Sequence, residues 1–173
     1  GYAVLDGTKS CLSHVSGLHC ECKLVTNVYI GCSESMRRTK WRGTSDILRL
    51  CDELVTKPGS DECTGLIQGP GQRERILTGP DKVKMCEAIA SKSAYDTSVY
   101  VGDSTTDIPC LLWADMGILI GSGDQVRDML HQAGMDSVLH TIDSWKQLDV
   151  MQQRASIVCA SDWYAVCDLL QLQ

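Results

Sequence analysis

The chain has 173 residues, of which 43% are apolar and 22% charged, and its formal net charge is −6. This length suits one domain, residues 1–173, with its own hydrophobic core. The lack of a basic run argues against a nucleic-acid partner, and no apolar stretch of the sequence is long enough to span a membrane.

The N-terminal half is predicted to contain few regular elements. A loose helical pattern covers 10–22, and a β-branched run predicts a strand over 24–32 with a polar loop after it. Apolar residues at helical spacing after a Thr-Ser-Asp start predict a helix over 44–55. A turn is predicted at 57–61, and the Gly-rich segment 65–71 is typical of a loop or an irregular hairpin.

The C-terminal half alternates apolar runs with helical patterns. Helices are predicted over 81–91, between 103 and 117, over 124–133 and from 161 to 172. Strands are predicted over 99–101, 117–120, 137–142 and 157–160. Strands that alternate with helices are typical of a parallel sheet, so we predict an α/β, Rossmann-like fold with helices on both faces of the sheet.

The ten cysteines favour neither a disulfide framework nor a zinc site. No Cys-x-x-Cys pair occurs, and several cysteines, such as Cys110, Cys159 and Cys167, lie among apolar residues. A free thiol packs there as a small hydrophobic group. We therefore predict reduced thiols and, because the first residues lack the regions of a signal peptide, a protein of the cytoplasm or of an organelle rather than a secreted one.

Two carboxylates follow the apolar run 99–101, which ends at Gly102. Open α/β sheets bind their ligands at the carboxyl ends of the strands, where Asp103 and Asp107 are expected. Oxygen ligands of this kind suit a hard divalent cation, so both residues are predicted at a Mg²⁺ site, Asp103 as a ligand and Asp107 assisting directly or by orienting Lys82 or water. Without the flanking strands, Asp103 or Ser104 would be interpreted as a helix N-cap and Asp107 as a first-turn acid.

The string Gly-Asp-Ser-Thr-Thr-Asp at 102–107 resembles the metal-binding motif of haloacid dehalogenase-like (HAD) phosphatases. The longer stretch 98–121 resembles one branch of that family more specifically. This branch is the HAD half of plant and fungal proteins related to thiamin monophosphate phosphatase, often fused to a TENA-type domain. The resemblance implies a HAD-like core that uses Mg²⁺ to hydrolyse a small phosphate ester, with thiamin monophosphate as the first candidate.

The resemblance also implies which lysine holds the phosphoryl group. The segment 71–82 is similar to the one that brings the family's lysine into the site at a helix N-terminus, so Lys82 is the predicted phosphate clamp. Lys84 is the competing candidate, and its spacing from Lys82 places it on a different face of the helix.

A hydroxyl that cradles the phosphoryl group is expected at the end of the strand 24–32. Ser33 is the predicted residue, because it follows that strand directly. A second alignment puts Gly31 in that position with Ser35 as the later serine of the motif, and the hydroxyl would then be lost. The two alignments stay open at this point.

The family's attacking carboxylate belongs to an Asp-x-Asp pattern, and the sequence contains no such pattern. One alignment puts Val4 in the nucleophile position, with Asp6 as the second acid. In this branch of the family, a helical cap is inserted between the nucleophile strand and the serine strand. The order and spacing of the segments fit better if Val4–Gly7 follows such a cap and leads the chain back into the core. The chain is then the C-terminal part of the family domain, its first residue is not an initiator Met, and an upstream segment or a partner chain is expected to complete the sheet.

The expected function is therefore that of a Mg²⁺-dependent phosphomonoester phosphatase domain. We expect it to be inactive alone, because the sequence contains no Asp-x-Asp nucleophile motif. The alternative is a pseudoenzyme, a HAD-like fold retained as a structural or assembly subunit of a larger complex. The missing first motif and the uncertain Ser33 position both favour that alternative.

Overall fold

The computed structural model describes residues 23–30, 48–60, 62–68, 75–91 and 97–171. The strands in chain order are β1 (Lys23–Ile30), β2 (Leu48–Thr56), β3 (Cys63–Gln68), β4 (Val99–Gly102), β5 (Met116–Ile120), β6 (Leu139–Thr141) and β7 (Ile157–Ala160). The helices are α1 (Gly79–Ala90), α2 (Ile108–Trp113), α3 (Asp124–Gln132), α4 (Ile142–Trp145), α5 (Val150–Arg154) and α6 (Trp163–Gln171). Two 3₁₀ turns cover Thr105–Asp107 and Asp136–Val138.

The N-terminal strands form a three-stranded sheet of mixed direction. β2 lies between its neighbours, parallel to β1 and antiparallel to β3. The predicted turn after 57 is confirmed: Ser60 N–H donates to Lys57 O at 3.1 Å, and Gly59 has φ of 75°. Glycine is suited to this position because side chains with a Cβ rarely adopt positive φ.

The predicted helix over 44–55 is wrong, since β2 occupies Leu48–Thr56. The spacing of the apolar residues is compatible with a helix, but β1 and β3 satisfy the β2 backbone from both sides. Pairing with two neighbours outweighs a local helical preference, which is a weak signal over nine residues. Residues 65–68 of the segment expected as a loop or irregular hairpin belong to β3, the second strand of a hairpin with β2.

The C-terminal strands form a four-stranded, all-parallel sheet in the order β4-β5-β7-β6. This confirms the predicted mixed α/β class and the parallel sheet. Each of the four predicted strands is present, although β6 is shorter than the predicted 137–142. Within the described ranges, β4 pairs with a strand on one side only.

Helices cover both faces of the parallel sheet, because successive side chains of β5 point in opposite directions. On one face, Ile118 and Ile120 pack in a buried cluster with Val166 and Leu169 of α6. On the other face, Leu119 packs with Leu111 of α2 and with Val126 and Leu130 of α3. β5 is buried along its whole length, as expected for a parallel strand with a neighbour on each side.

The capping residues set the ends of the helices. Thr78 caps α1 reciprocally: Thr78 Oγ1 accepts from Asp81 N–H at 3.4 Å, and Asp81 Oδ2 accepts from Thr78 N–H at 2.9 Å. This capping box starts α1 at Gly79, two residues before the predicted start. The short helix α5 was not predicted from the sequence, although Asp149 and Gln152 form the same type of box at its start.

Four cysteines in the described part of the chain are free, and three of them, Cys86, Cys110 and Cys167, are buried. Their state agrees with the predicted packing role. In the same ranges, no helix combines the length and apolar character that a membrane crossing requires.

Candidate functional site

A buried ion pair lies where β4 ends. Lys82, in the first turn of α1, places Nζ 2.7 Å from Oδ1 of Asp107, the last residue of a 3₁₀ turn. The two side chains are only 5% and 8% exposed. The fold thus joins two residues that the sequence motifs had indicated separately, 25 positions apart in the chain. We call them the Lys82–Asp107 pair.

Five hydrogen-bond donors surround the Asp107 carboxylate. Oδ1 accepts from Lys82 Nζ at 2.7 Å and from Tyr100 OH at 2.8 Å. Oδ2 accepts from Ser104 Oγ at 2.6 Å, from Ser104 N–H at 3.1 Å and from Asp103 N–H at 3.3 Å. A carboxylate has about four lone-pair sites, so these donors account for its accepting capacity. The Asp107 carboxylate therefore orients Lys82 and stabilises the turn in which Asp107 lies.

The surroundings of Asp107 favour its ionised form. Burial alone would raise the pKa of this carboxyl, but the hydrogen bonds from Lys82, Ser104 and Tyr100 hold it below its ordinary value. Conversely, burial and the neighbouring Asp107 charge raise the pKa of Tyr100. Tyr100 consequently stays a protonated donor at neutral pH, and Asp107 presents an ionised carboxylate to Lys82.

Asp103 differs from Asp107 in being exposed. Its backbone N–H points to Asp107, whereas its carboxylate makes no hydrogen bond or ion pair with any residue of the described ranges. An exposed carboxylate with open accepting sites, at the carboxyl end of a parallel strand, can take an external cation or donor. Of the two predicted metal ligands, Asp103 is the one whose carboxylate accepts no hydrogen bond from the residues that the structure describes.

Gly102 makes room for this arrangement. A Cβ at this position would lie 2.5 Å from Asp107 Cβ and 2.8 Å from Asp107 Cγ. The missing side chain lets the turn fold back so that the Asp107 carboxylate lies against the end of β4. The glycine of the motif thus has a packing reason, beside the chemical reason for the acids.

Hydroxyl side chains between the two acids complete the site. Thr106 Oγ1 accepts from Lys82 Nζ at 3.1 Å and lies 3.0 Å from Ser104 Oγ. Ser104 was predicted only as a possible N-cap, the position that it takes before the 3₁₀ turn, and neither Thr106 nor Tyr100 was predicted from the sequence. One feature of the sequence could have identified Tyr100. In the apolar run 99–101 that precedes the two acids, it is the one residue that carries a polar group.

The remaining candidates lie apart from the pair or outside the described residues. Lys84 is exposed and lies 3.9 Å from Asp81, which agrees with the predicted separation from Lys82. The other candidates fall outside the described ranges, so the predictions made for them stay open; they are Ser33, its alternatives Gly31 and Ser35, and Asp6.

The chain matches no protein-family model, no curated protein and no solved structure. Across the described ranges, no group of three or more His, Cys, Asp or Glu side chains is arranged to hold a metal ion. The site thus offers a fixed ammonium, an ionised acid that orients it, and one open carboxylate at the same end of the sheet.

Proposed function

We propose that this chain is a HAD-like domain of the phosphomonoester phosphatase type, which acts with Mg²⁺ on a small phosphorylated metabolite. The observation that carries the proposal is the Lys82–Asp107 pair next to Asp103 at the carboxyl end of β4. The motif resemblance predicted Lys82, Asp103 and Asp107 for this chemistry. Thiamin monophosphate is the first substrate to test.

In this proposal Lys82 neutralises a phosphoryl group, and Asp107 orients Lys82. Phosphoryl transfer depends on positioning and on stabilising negative charge, and a fixed ammonium supplies both. Among the described residues, Nζ has two acceptors, Asp107 Oδ1 and Thr106 Oγ1. An ammonium has three N–H donors, so one remains for a phosphoryl oxygen.

The donor set fits Mg²⁺ if Asp103 is the direct ligand. Mg²⁺ retains several waters and is usually held by one or two carboxylates together with substrate phosphate. The open carboxylate of Asp103 meets that requirement, whereas the five donors around Asp107 favour an indirect role for Asp107. When bound, Mg²⁺ would neutralise phosphate charge beside Lys82.

The attacking carboxylate is proposed to come from a preceding segment or a partner chain, because the sequence holds no Asp-x-Asp pattern. We therefore expect this polypeptide alone to bind Mg²⁺ and orthophosphate without hydrolysing phosphate esters. The partner or segment would pair with the side of β4 that has no strand neighbour in the described ranges.

Binding of orthophosphate in the presence of Mg²⁺, followed by ³¹P NMR and calorimetry, tests the proposal. Asp103→Asn should remove the Mg²⁺ dependence, and Lys82→Met should weaken phosphate binding, while Lys84→Met serves as the exposed matched control. Equal phosphate binding by the Lys82 and Lys84 variants would contradict the proposal. Robust, Asp103-dependent hydrolysis of p-nitrophenyl phosphate by this polypeptide would overturn the claim that it is inactive alone.

The alternative function, a pseudoenzyme serving as a structural subunit, is favoured by one observation. The Lys82 side chain is 5% exposed and already paired, so the pair also holds α1 against the turn before α2 without any ligand. If the native protein binds neither Mg²⁺ nor orthophosphate while Lys82→Met destabilises it, this alternative is preferred.

A further inference from the structure

Tyr100 joins the hydrophobic core to the Lys82–Asp107 pair. Its ring packs against the cluster on the α2 and α3 face of the parallel sheet. Its hydroxyl donates to Asp107 Oδ1 at 2.8 Å. The ring is therefore held by packing on β4, while its polar tip lies at the end of the sheet where the candidate site is.

The two donors on Oδ1 differ in rigidity. Lys82 reaches the oxygen through a flexible four-carbon stem from α1. Tyr100 reaches it from β4 through a ring with two rotatable bonds. On the other oxygen, Ser104 and the backbone of the turn act together. With Tyr100 in place, both oxygens of the carboxylate are held by short, stiff donors.

We propose that Tyr100 is a positioning residue of this site: its hydroxyl fixes the orientation of Asp107 Oδ1, and Oδ1 in turn fixes the ammonium of Lys82. Without the hydroxyl, Lys82 becomes the sole donor to Oδ1 among the described residues. The Ser104 hydroxyl and the N–H groups of the turn still hold Oδ2, but only the flexible Lys82 side chain then contacts Oδ1, so the third N–H of Lys82 is directed less firmly.

The consequence for phosphate binding rests on the proposed function. Orthophosphate would meet a lysine whose remaining N–H must be ordered on binding, which weakens affinity without removing any direct contact. The effect on Lys82 itself does not rest on that function, because it follows from the hydrogen bonds alone.

The experiment compares the native protein with Tyr100→Phe, and with Tyr164→Phe as the exposed matched control. ¹H–¹⁵N spectra of the lysine ammonium groups report the scalar coupling between Lys82 Nζ and Asp107 Cγ. We expect a slowly exchanging, coupled Lys82 signal in the native protein and in Tyr164→Phe. In Tyr100→Phe the coupling should be smaller and exchange should be faster, at unchanged backbone shifts elsewhere in the sheet.

Orthophosphate binding with Mg²⁺ is measured on the same three proteins. Tyr100→Phe should weaken it by roughly threefold to tenfold, the cost of ordering one flexible side chain on binding. If the native protein binds no orthophosphate but the Lys82 coupling depends on Tyr100, positioning is supported and the proposed function fails. An unchanged Lys82 coupling in Tyr100→Phe overturns the positioning role, whatever the phosphate result.

A second measurement covers the case in which Tyr100→Phe does not fold. The Tyr100 hydroxyl proton is then observed in the native protein. A protected proton coupled to Asp107 Cγ supports the proposal, and a hydroxyl proton that exchanges freely with solvent overturns it.

Discussion

The two edges of the parallel sheet carry similar aspartates in different surroundings. At the carboxyl edge, where the strands end, Asp107 accepts from the hydroxyl and N–H of Ser104. At the amino edge, where the strands begin, Asp115 accepts from the hydroxyl and N–H of Ser98 at 2.8 and 2.9 Å. Each aspartate also faces a cation: Lys82 at 2.7 Å, and Arg154 Nε at 3.5 Å.

The two aspartates differ in how far their side chains are buried. The Lys82 and Asp107 side chains are 5% and 8% exposed, whereas those of Arg154 and Asp115 are 55% and 30% exposed. An aspartate that accepts hydrogen bonds from the end of a neighbouring strand is an ordinary structural feature. A buried lysine and a tyrosine added to the same motif, beside an open carboxylate, make the carboxyl edge the candidate site.

The largest expected effect comes from breaking the buried pair. Lys82→Met leaves the Asp107 charge buried without its cation and should lower the free energy of unfolding by about 3–5 kcal/mol. Arg154→Met at the amino edge should cost only about 0–1 kcal/mol, because that pair is exposed to solvent. Urea unfolding at neutral pH measures both values. Equal losses for the two variants would remove the distinction between the edges.

The double variant Lys82→Met/Asp107→Leu refines this comparison. Replacing a buried ion pair with apolar side chains is often close to neutral, but Asp107→Leu also leaves Tyr100 and Ser104 without their acceptor, so only part of the lost stability should return. Orthophosphate binding should stay as weak as in Lys82→Met, since the ammonium is absent. A double variant that is as unstable as Lys82→Met would show that the lost hydrogen bonds of Tyr100 and Ser104 cost as much as the unpaired charge of Asp107.

Gly102→Ala should produce the next largest effect. The added Cβ would meet Asp107 Cβ at 2.5 Å, and the turn must move to relieve that contact. Overpacking of this kind costs about 1–3 kcal/mol, which urea unfolding detects. The variant should also change the Lys82 ammonium spectrum, and an unchanged spectrum would argue that the turn does not depend on this glycine.

Removing the two serine hydroxyls should give a smaller difference in stability between the carboxyl and amino edges than breaking the two ion pairs does. Ser104→Ala takes a 2.6 Å hydrogen bond from a buried carboxylate and should cost about 1.5–3 kcal/mol. Ser98→Ala removes a hydrogen bond from a more exposed carboxylate, and about 1 kcal/mol is expected. Unfolding curves of the two variants, recorded side by side, test the ranking. A costlier Ser98→Ala would reverse the comparison.

The smallest expected effect is the pH dependence of each aspartate. Burial would raise the pKa of Asp115, but its hydrogen bonds with Ser98 and the charge of Arg154 hold it below the ordinary 3.8, as the donors around Asp107 do for that residue. A carboxyl with a lowered folded-state pKa adds stability above the unfolded-state pKa, and this is lost as the pH falls through the folded-state value.

Stability should therefore decrease on acidification below about pH 4, the range of unfolded carboxyl groups. Asp115→Asn should remove part of that decrease and leave the part that Asp107 contributes. Urea unfolding between pH 6 and pH 3 provides the measurement. A native protein that becomes more stable as the pH falls over this range would contradict the expected loss.

Local patterns predicted most of the parallel sheet. The apolar runs became β4, β5 and β7, and the Ser-Asp start at 161–162 precedes α6, with Asp162 Oδ1 accepting from Ala165 N–H at 2.9 Å. These patterns succeed because buried parallel strands are apolar along their whole length and helix starts need capping oxygens. The strand β2 was missed because its pairing partners, distant or across a hairpin, outweigh its helical spacing.

Spacing along the chain is enough to specify the α/β class of the C-terminal half and the acids that follow β4, because periodicity, capping and motifs are local properties. The roles of those acids depend on the folded chain. Lys82 and Asp107 meet because α1 packs beside the turn that follows β4, and burial there makes each charge require the other. Tyr100 and Ser104 acquire their roles in the same way, since a hydrogen bond to a buried carboxylate depends on three-dimensional proximity that no spacing along the chain specifies.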